Sequence, residues 1–507
     1  MGRSWRCRRS GAVLPKAARG AGPRLRSLAA VWLGVVVVLG ATGCGGSGDG
    51  KAARVSPSSS AVSAGATADE TVVSDTPAGF SIAALGASPP VKSSQGGTVG
   101  PRAPAGLGAT DRGVTKESVL LGWLAIDESA MAQGASFGMT TPSYPGGDFL
   151  EPFVKEVNAA GGINGRKLSA QVVTYNPLSM DDMQSACVKL GEDLKVFGAV
   201  TPFGYYGDAQ VCLASKEIPT VTMNPASVDT LYRREKGWIR LTVMSKDRML
   251  KNWVDWAVTS GLASGSKKIG VWWQDVPEDQ AVVNDVLLPY MKSRGLNVAS
   301  TFVFSSDNTR APVESTSAVL RFKSANVDVV WPVGNYFVNT FFLTQAKAQD
   351  FHPKYTASDF AQLSLDTTSS GYETSQWDGT KAVTVLLTGE MAAGKPTRSS
   401  GKECLDVHAK FGGKPLQNNA DRDYLMFTCE HLALWVKAAR QAGANLTRKG
   451  FLAEIDSLGT YADRVAISDP LTYRKGKYDG ADRYAVVEWR KECTCYHQVE
   501  AFRAGRW

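Results

Sequence analysis

The sequence predicts an α/β protein with two domains, each a parallel sheet covered by helices on both faces. The first observation is that strand-like and helix-like segments alternate from about residue 115 onward, at the spacing typical of parallel sheets. The second is length, because about 390 of the 507 residues follow that point and a single core rarely grows beyond ~250–300 residues. Two cores, and therefore two domains, are expected.

The strand-like segments are short apolar or alternating runs, whereas the helix-like segments repeat apolar residues every three or four positions. The strand candidates are 119–126, 167–175, 197–201, 220–223, 268–273, 298–304 and 327–332. The helix candidates between them include 180–194, 248–259 and 338–350. The last third of the chain is more helical, with candidates at 403–411, 421–442 and 448–458.

The segment 158–168, NAAGGINGRKL, connects one such helix to the following strand. Gly161 can adopt the left-handed conformation that ends a helix, and Asn164-Gly165 suits a tight turn. The segment contains no nucleophile, base or phosphate loop. It therefore predicts a helix-to-strand corner with no chemistry of its own.

Residues 1–43 have the features of an export signal. They carry eight Lys or Arg and no acidic residue, and their 12-residue apolar run at 28–39 is shorter than the ~20 residues that a membrane-spanning helix needs. The sequence ATGC at 41–44 resembles the lipobox of bacterial lipoproteins, although Ala41 stands where leucine is favoured. We expect a signal peptide over 1–43, then a lipidated Cys44 and a disordered tether, rich in Gly, Ser, Ala and Pro, over 44–112.

The positive charge of the chain belongs to the predicted signal. The formal net charge is +8, and the eight basic residues of the first 43 account for all of it, so the remainder is close to neutral. No basic patch is left to indicate a nucleic acid as partner.

Six cysteines remain outside the predicted signal and lipidation site, in a compartment where disulfides form. Cys187 and Cys212 fall on successive helices that flank one strand, and Cys404 and Cys429 repeat this arrangement on two later helices. Although six cysteines allow fifteen pairings, we expect the disulfides Cys187–Cys212 and Cys404–Cys429.

The segment Cys493-Thr-Cys495-Tyr-His497 admits two interpretations. Alternate residues of a strand face the same way, so two thiols and an imidazole can converge on a metal ion. However, no fourth ligand is apparent, and exported cysteine pairs tend to oxidise. We therefore expect a disulfide between Cys493 and Cys495, which requires a turn, and no metal.

The motifs of the common enzyme classes are missing from the sequence. The histidines His352, His408 and His431 are scattered, without the His-Glu-x-x-His spacing of zinc hydrolases. No Gly-x-Ser-x-Gly elbow follows a strand, and the glycine-rich stretch 261–268 has the wrong spacing for a phosphate-binding loop. Neither an enzymatic activity nor a cofactor is predicted.

Several segments together resemble a known family. GVTKESVLLG (113–122) and VNAAGGINGRKL (157–168) are similar to the opening of the type I periplasmic-binding fold, and in particular to the branched-chain amino-acid class of solute-binding proteins of ABC transporters. Further similar stretches follow at 186–204, 216–227, 267–275 and 327–351. The resemblance implies two doubly wound parallel-sheet lobes that are joined by a three-segment hinge and close on a small ligand. The expected boundaries are 113–240 and 388–482 for lobe one, and 241–387 and 483–507 for lobe two.

Open parallel sheets bind ligands at the carboxyl ends of their strands, so the residues just after the strands are the site candidates. They are Tyr205, Tyr206, Asn224, Ala226, Ser227, Gln274, Asp275, Asn335, Tyr336 and Asp359. The resemblance implies that Tyr205, Ala226 and Ser227 hold a ligand carboxylate. It also implies that Asp359 holds an ammonium group and that Tyr336 matches a tyrosine of the family's ligand site.

Two of these assignments have structural alternatives. Tyr205 and Tyr206 stand where relatives have small residues, so their rings either narrow the pocket, offer a stacking face or pack the edge of the lobe. Asp359 either contacts the ligand, caps a helix or pairs with a surface lysine.

The function that the resemblance implies is capture of a small polar molecule, an amino acid or an amide-like compound, and its delivery to an ABC permease. The protein would be secreted and held by its lipid at the outer face of the bacterial cytoplasmic membrane. The alternatives are a sensor of the same fold that signals to a membrane receptor and, third, an anchored hydrolase.

Overall fold

The computed structural model describes residues 107–201, 203–389 and 398–506. The predicted signal peptide, Cys44 and the tether up to residue 106 lie outside the described residues. In the part of the chain that is described, no helix is both long enough and apolar enough to cross a membrane.

The first part of the described chain alternates strands with helices. Its elements are β1 (Ser118–Ile126), α1 (Glu128–Ser136), α2 (Gly146–Ala159), β2 (Lys167–Tyr175), α3 (Met180–Val188), β3 (Gly198–Thr201), α4 (Asp208–Ser215), β4 (Thr220–Thr222) and β5 (Ile239–Leu241). These five strands form one sheet in the order β2-β1-β3-β4-β5, in which all neighbours are parallel.

The middle part repeats the alternation. Its elements are α5 (Lys246–Thr259), β6 (Lys268–Gln274), α6 (Pro277–Val282), α7 (Leu288–Ser293), β7 (Asn297–Phe304), α8 (Ala311–Ser324), β8 (Val329–Val333), α9 (Tyr336–Ala348), β9 (Lys354–Ser358), α10 (Asp366–Ser369), α11 (Thr374–Trp377) and β10 (Lys381–Thr384).

The last part contains three helices and two hairpins. Its elements are α12 (Ser399–Lys410), α13 (Asn419–Gln441), α14 (Arg448–Ser457), β11 (Gly459–Tyr461), β12 (Leu471–Tyr473), β13 (Arg483–Arg490) and β14 (Cys495–Ala504). Single turns of π or 3-10 geometry occur at Lys189–Asp193, Thr230–Arg234, Val283–Leu287, Asn308–Arg310 and Asp359–Ala361.

The second large sheet has seven strands in the order β14-β13-β10-β9-β8-β6-β7. Strands β6 to β10 are mutually parallel, whereas β13 pairs antiparallel with both β10 and β14. The predicted α/β fold with parallel sheets is therefore confirmed, with an antiparallel hairpin at one edge. The lobe boundaries themselves stay a prediction.

The predicted corner at 158–168 shows why this segment needs its turn formers. Gly161 and Gly162 have φ of 90° and 65°, and a Cβ on Gly162 would collide with the carbonyl oxygen of Arg166. Ile163 then pairs with Arg166 in a single bridge before β2 begins. Only glycine combines this backbone conformation with such a close approach.

The disulfides join neighbouring helices or close a turn. Cys187 on α3 bonds to Cys212, and Cys404 on α12 bonds to Cys429 on α13. Cys493 and Cys495 are bonded across the turn between β13 and β14, with the His497 Nε2 at 3.2 Å from the first sulfur and 3.4 Å from the second. Because each sulfur is bonded to the other, neither is a thiolate ligand in this structure.

Candidate ligand-binding site

A cavity of about 80 Å³, here called the polar cavity, lies where loops of the two large sheets meet. The five-stranded side contributes the five-strand wall, which consists of Pro177, Leu178, Gly204, Tyr206, Asn224 and Pro225. The other side contributes the seven-strand wall, which consists of Lys246, Gln274, Val276, Asp279, Asn335, Tyr336, Phe360, Ala361 and Gln362. Most of these residues follow the carboxyl ends of parallel strands, where open α/β sheets bind ligands.

The charged groups of the polar cavity form one cluster. Lys246, the first residue of α5, places its Nζ 2.7 Å from Asp279 Oδ1 and 3.5 Å from Glu278 Oε2, and 4.9 Å from the centre of the Phe360 ring. Burial alone would lower the pKa of the Lys246 ammonium, but the two carboxylates raise it above its ordinary value. Burial raises the pKa of Asp279 against the opposing effect of Lys246. The ammonium is therefore charged and already partnered.

Carboxamide groups supply most of the other polar atoms. Gln274 Nε2 and Asn335 Nδ2 both donate to Asn308 Oδ1, each at 3.0 Å. Asn335 also caps α9, since its Oδ1 accepts from the Val338 N–H. These contacts fix the side chains while leaving an uncharged hydrogen-bonding surface.

Several hydrogen bonds connect the loops of one sheet to elements of the other. Gln362 Nε2 donates to Asn224 Oδ1 at 3.2 Å, across the polar cavity. Behind the cavity, the Ser227 N–H donates to Glu278 Oε1 at 2.6 Å and the Val228 N–H donates to Asp247 Oδ2 at 2.7 Å. The two walls are thus joined on more than one side.

A second cavity, here called the apolar cavity, measures about 70 Å³ and shares Pro177, Gly204, Tyr336 and Gln362 with the polar cavity. Its other lining residues are Ile126, Ala130, Met131, Gly134, Met139, Thr140, Thr141, Pro142, Phe203, Leu365, Thr367, Thr368 and Tyr424. None of these lining residues, all from the described part of the chain, carries a formal charge.

Residues 151–494 match the family described as periplasmic binding protein, which is more than half of the chain. The chain belongs to this family. Among curated proteins, it is 28% identical over 215 residues to "Leu/Ile/Val-binding protein homolog 8" from Brucella abortus, which covers 40% of this chain and 50% of that protein. The chain thus spans about half the length of the curated relatives it matches.

Solved structures of periplasmic binding proteins share the fold. A fatty acid ABC transporter substrate-binding protein from Thermomonospora curvata has a TM-score of 0.60 at 16% identity, covering 79% of this chain and 96% of its own. A branched-chain amino acid ABC transporter protein from Thermus thermophilus with bound valine has a TM-score of 0.56 at 15% identity, covering 76% of this chain and 97% of its own. The family is one of binding proteins rather than enzymes, and it implies an extracytoplasmic location.

In this periplasmic binding protein, half of the predicted site residues reach the polar cavity. They are Tyr206, Asn224, Gln274, Asn335 and Tyr336. Burial raises the pKa of Tyr206 to about 12 and that of Tyr336 further still, so both phenols are neutral hydrogen-bonding groups. The Tyr336 hydroxyl makes no hydrogen bond within the described residues, so it is free to bond to a ligand.

The structure does not bring Tyr205 or Asp359 into either cavity. The Tyr205 side chain is fully buried, with its hydroxyl donating to the Met183 carbonyl oxygen at 2.8 Å. The Asp359 carboxylate accepts hydrogen bonds from the Ser364 hydroxyl and, at 2.6 Å, from the Val385 N–H. The ammonium-holding role predicted for Asp359 therefore has no support in the geometry.

The other three predicted residues also stand outside the lining of the two cavities. The Ala226 carbonyl oxygen accepts from the Lys246 N–H at 2.9 Å, so it positions the start of α5. The Ser227 N–H donates to Glu278 Oε1, and the Ser227 hydroxyl donates to Thr230 Oγ1. Asp275 accepts from Gln280 Nε2 on the protein surface.

Sequence reasoning missed Lys246, Asp279 and Gln362. Lys246 and Asp279 lie in the first turn of helices that follow β5 and β6, just beyond the loops in which the site residues are predicted. Gln362 has φ of 60°, an unusual conformation for this residue type that places its amide between the walls. The first helical turn after a strand therefore contributes to this site as well as the loop before it.

Proposed function

We propose that this protein is the solute-binding component of an ABC transporter, which captures a small, amide-like molecule in the polar cavity and delivers it to a membrane permease. The observation that carries the proposal is the polar cavity itself, whose lining comes from loops of both large sheets. A ligand that contacts both walls binds their closed arrangement more tightly than an open one, and binding shifts the equilibrium toward closure. A lipid on Cys44 would hold the loaded protein near its permease.

The uncharged donors and acceptors of the cavity support an amide-like ligand. Gln274, Asn335 and Gln362 present carboxamides, and Tyr206 and Tyr336 present neutral hydroxyls. Groups of this kind pair with ligand amides or hydroxyls without burying an unpaired charge.

The proposal is tested by a thermal-shift screen of the full-length protein against amino acids, amides, aromatic acids and fatty acids. A true ligand at 100 times its Kd should stabilise the protein by about 2.7 kcal/mol, which raises the Tm by several degrees. The variant Tyr206→Ala should lose the shift, whereas Tyr232→Ala, at an exposed tyrosine outside the cavity, should keep it.

Two results would overturn the proposal. No stabilisation by any compound would argue against capture of a small molecule. A deletion strain that takes up the identified ligand at the wild-type rate would argue against delivery, and ligand-dependent signalling in the same strain background would favour the sensor alternative.

A further inference from the structure

We infer that the ligand of this protein is a neutral amphipathic molecule, with an uncharged hydrogen-bonding group in the polar cavity and an apolar chain in the apolar cavity. This inference rests on the proposed function and names the class of compound that the site would take. Its basis is the juxtaposition of two cavities of similar size, of which only the polar cavity has charged side chains among its described lining residues.

The two cavities adjoin along a short shared boundary. Pro177, Gly204, Tyr336 and Gln362 border both of them. Gly204 has φ of 76°, and a Cβ at this position would lie 3.0 Å from the Pro177 ring, so glycine keeps the boundary free of a side chain. One ligand can therefore extend from one cavity into the other past the Tyr336 side chain.

The apolar cavity has the lining of a site for hydrocarbon. Ile126, Met131, Met139 and Leu365 surround it, together with Phe203 and Tyr424, whose ring centres are 5.3 Å apart. Methionine side chains are flexible and polarizable, so they adapt to chains of differing shape.

Two of the threonine hydroxyl groups in the apolar cavity form hydrogen bonds within the protein. Thr368 Oγ1 donates to the Gln362 carbonyl oxygen at 2.8 Å, and Thr140 Oγ1 lies 3.1 Å from the Ser370 hydroxyl. Two of the four lining threonines thus have bonded hydroxyls, and none of the described lining residues is charged, so an apolar chain can occupy the cavity without burying an unpaired charge.

The polar cavity selects against an anionic group. Among its described lining residues the one cation is Lys246, which is held by Asp279 and Glu278, so the cluster of these three residues has a formal charge of −1. A ligand carboxylate would meet that excess charge and would have to displace a buried partner of the lysine. A neutral amide or hydroxyl can instead pair with the Tyr336 hydroxyl and the surrounding carboxamides.

The test measures binding of linear primary amides, from butanamide to decanamide, to the full-length protein by isothermal titration calorimetry. The affinity should rise roughly four-fold for each added methylene group, the factor that corresponds to burial of one CH₂, until the apolar cavity is filled. The carboxylate of each chain length should bind at least about ten-fold more weakly than its amide.

The variant Met139→Gln places an amide in the apolar cavity at nearly constant side-chain volume. It should reduce the rise in affinity to less than about two-fold for each added methylene group. The matched control is Met180→Gln at an exposed methionine outside both cavities, which should keep the wild-type gain. If Met139→Gln does not fold, as judged by its Tm, Met131→Gln takes its place.

Three results would overturn the inference. They are an affinity that does not change with chain length, carboxylates that bind as tightly as amides, and a gain in affinity per methylene that stays at the wild-type value in the folded variant of the apolar cavity, Met139→Gln or its replacement Met131→Gln. Suppose that another compound of the broader screen binds, while the affinity for the amides does not rise with chain length. The proposed capture of a small molecule then stands, and the inference that the ligand is amphipathic is wrong. If no compound binds, both proposals fail.

Discussion

The two walls of the polar cavity differ in what they offer a ligand. The five-strand wall consists of two prolines, a leucine, a glycine, one tyrosine and one asparagine, and it carries no charge. The seven-strand wall carries the cavity's ammonium and carboxylate and three of its four carboxamides. This contrast indicates that the first wall determines shape through rigid backbone and ring surfaces, whereas the second determines which polar groups are accepted.

The largest expected effect comes from removing the cation of the seven-strand wall. Lys246→Met leaves the carboxylates of the buried Glu278 and the partly exposed Asp279 without their cation, and breaking a buried pair such as Lys246–Glu278 costs about 3–5 kcal/mol of unfolding free energy. Urea denaturation at pH 7 measures the loss. On the opposite wall, Asn224→Ala should cost only about 1–3 kcal/mol, the range for unsatisfied buried hydrogen-bonding groups. Equal losses would show that the two walls are energetically alike.

A smaller effect is expected at the junction between the two sides, where α13 packs against α10. Asp423 on α13 is buried, its Oδ2 has no hydrogen-bond partner among the described residues, and burial raises its pKa to about 7. Burial also raises the pKa of Asp366 on α10 well above its usual range, and the nearby Asp423 adds to that effect.

The sign of the pH dependence follows from the raised pKa. The unfolded chain releases this proton near pH ~3.9, so ionisation of Asp423 destabilises the fold progressively from about pH 4 to pH 7 and no further above that. Asp423→Asn should therefore stabilise the protein at pH 8 by an amount on the order of 2–4 kcal/mol and should give no such gain at pH 4. Asp406→Asn, at an exposed aspartate of α12, should change stability little at either pH. A pH-independent gain would contradict the assignment.

The smallest effect is expected at the bond that joins the walls. Gln362→Gly removes the hydrogen bond to Asn224 but relieves the left-handed conformation, so the free energy of unfolding should change by less than about 1 kcal/mol. Ligand affinity should fall about two- to five-fold, because one bond that favours the closed arrangement is lost. Gln362→Ala, which loses the same bond and keeps the strained backbone, should be less stable than the glycine variant by about 1 kcal/mol.

The sequence was sufficient for features that depend on local geometry. The Gly161–Gly165 corner was predictable because positive φ angles restrict the residue type. Tyr206, Asn224 and Asn335 were found because they directly follow parallel strands, whose carboxyl ends share one edge.

Features that depend on distant partners were not predictable. The sequence identifies the loop that contains Asp359. It does not show that the Val385 N–H, 26 residues away, donates a hydrogen bond to the Asp359 carboxylate. It likewise shows an acidic helix start at Asp279, but not that Lys246, 33 residues earlier, lies against it. Tertiary contacts decide in which direction a side chain points, and a local sequence pattern does not contain them.

The Cys187–Cys212 cross-link has a mechanical consequence for the cavity. The covalent ring that it closes contains β3 and the turn with Gly204 and Tyr206, so this strip of the five-strand wall is tethered at both ends. A tethered strip has fewer degrees of freedom than a loop anchored by hydrogen bonds alone. We therefore expect this strip to keep its shape when a ligand enters, and a reducing environment would loosen it.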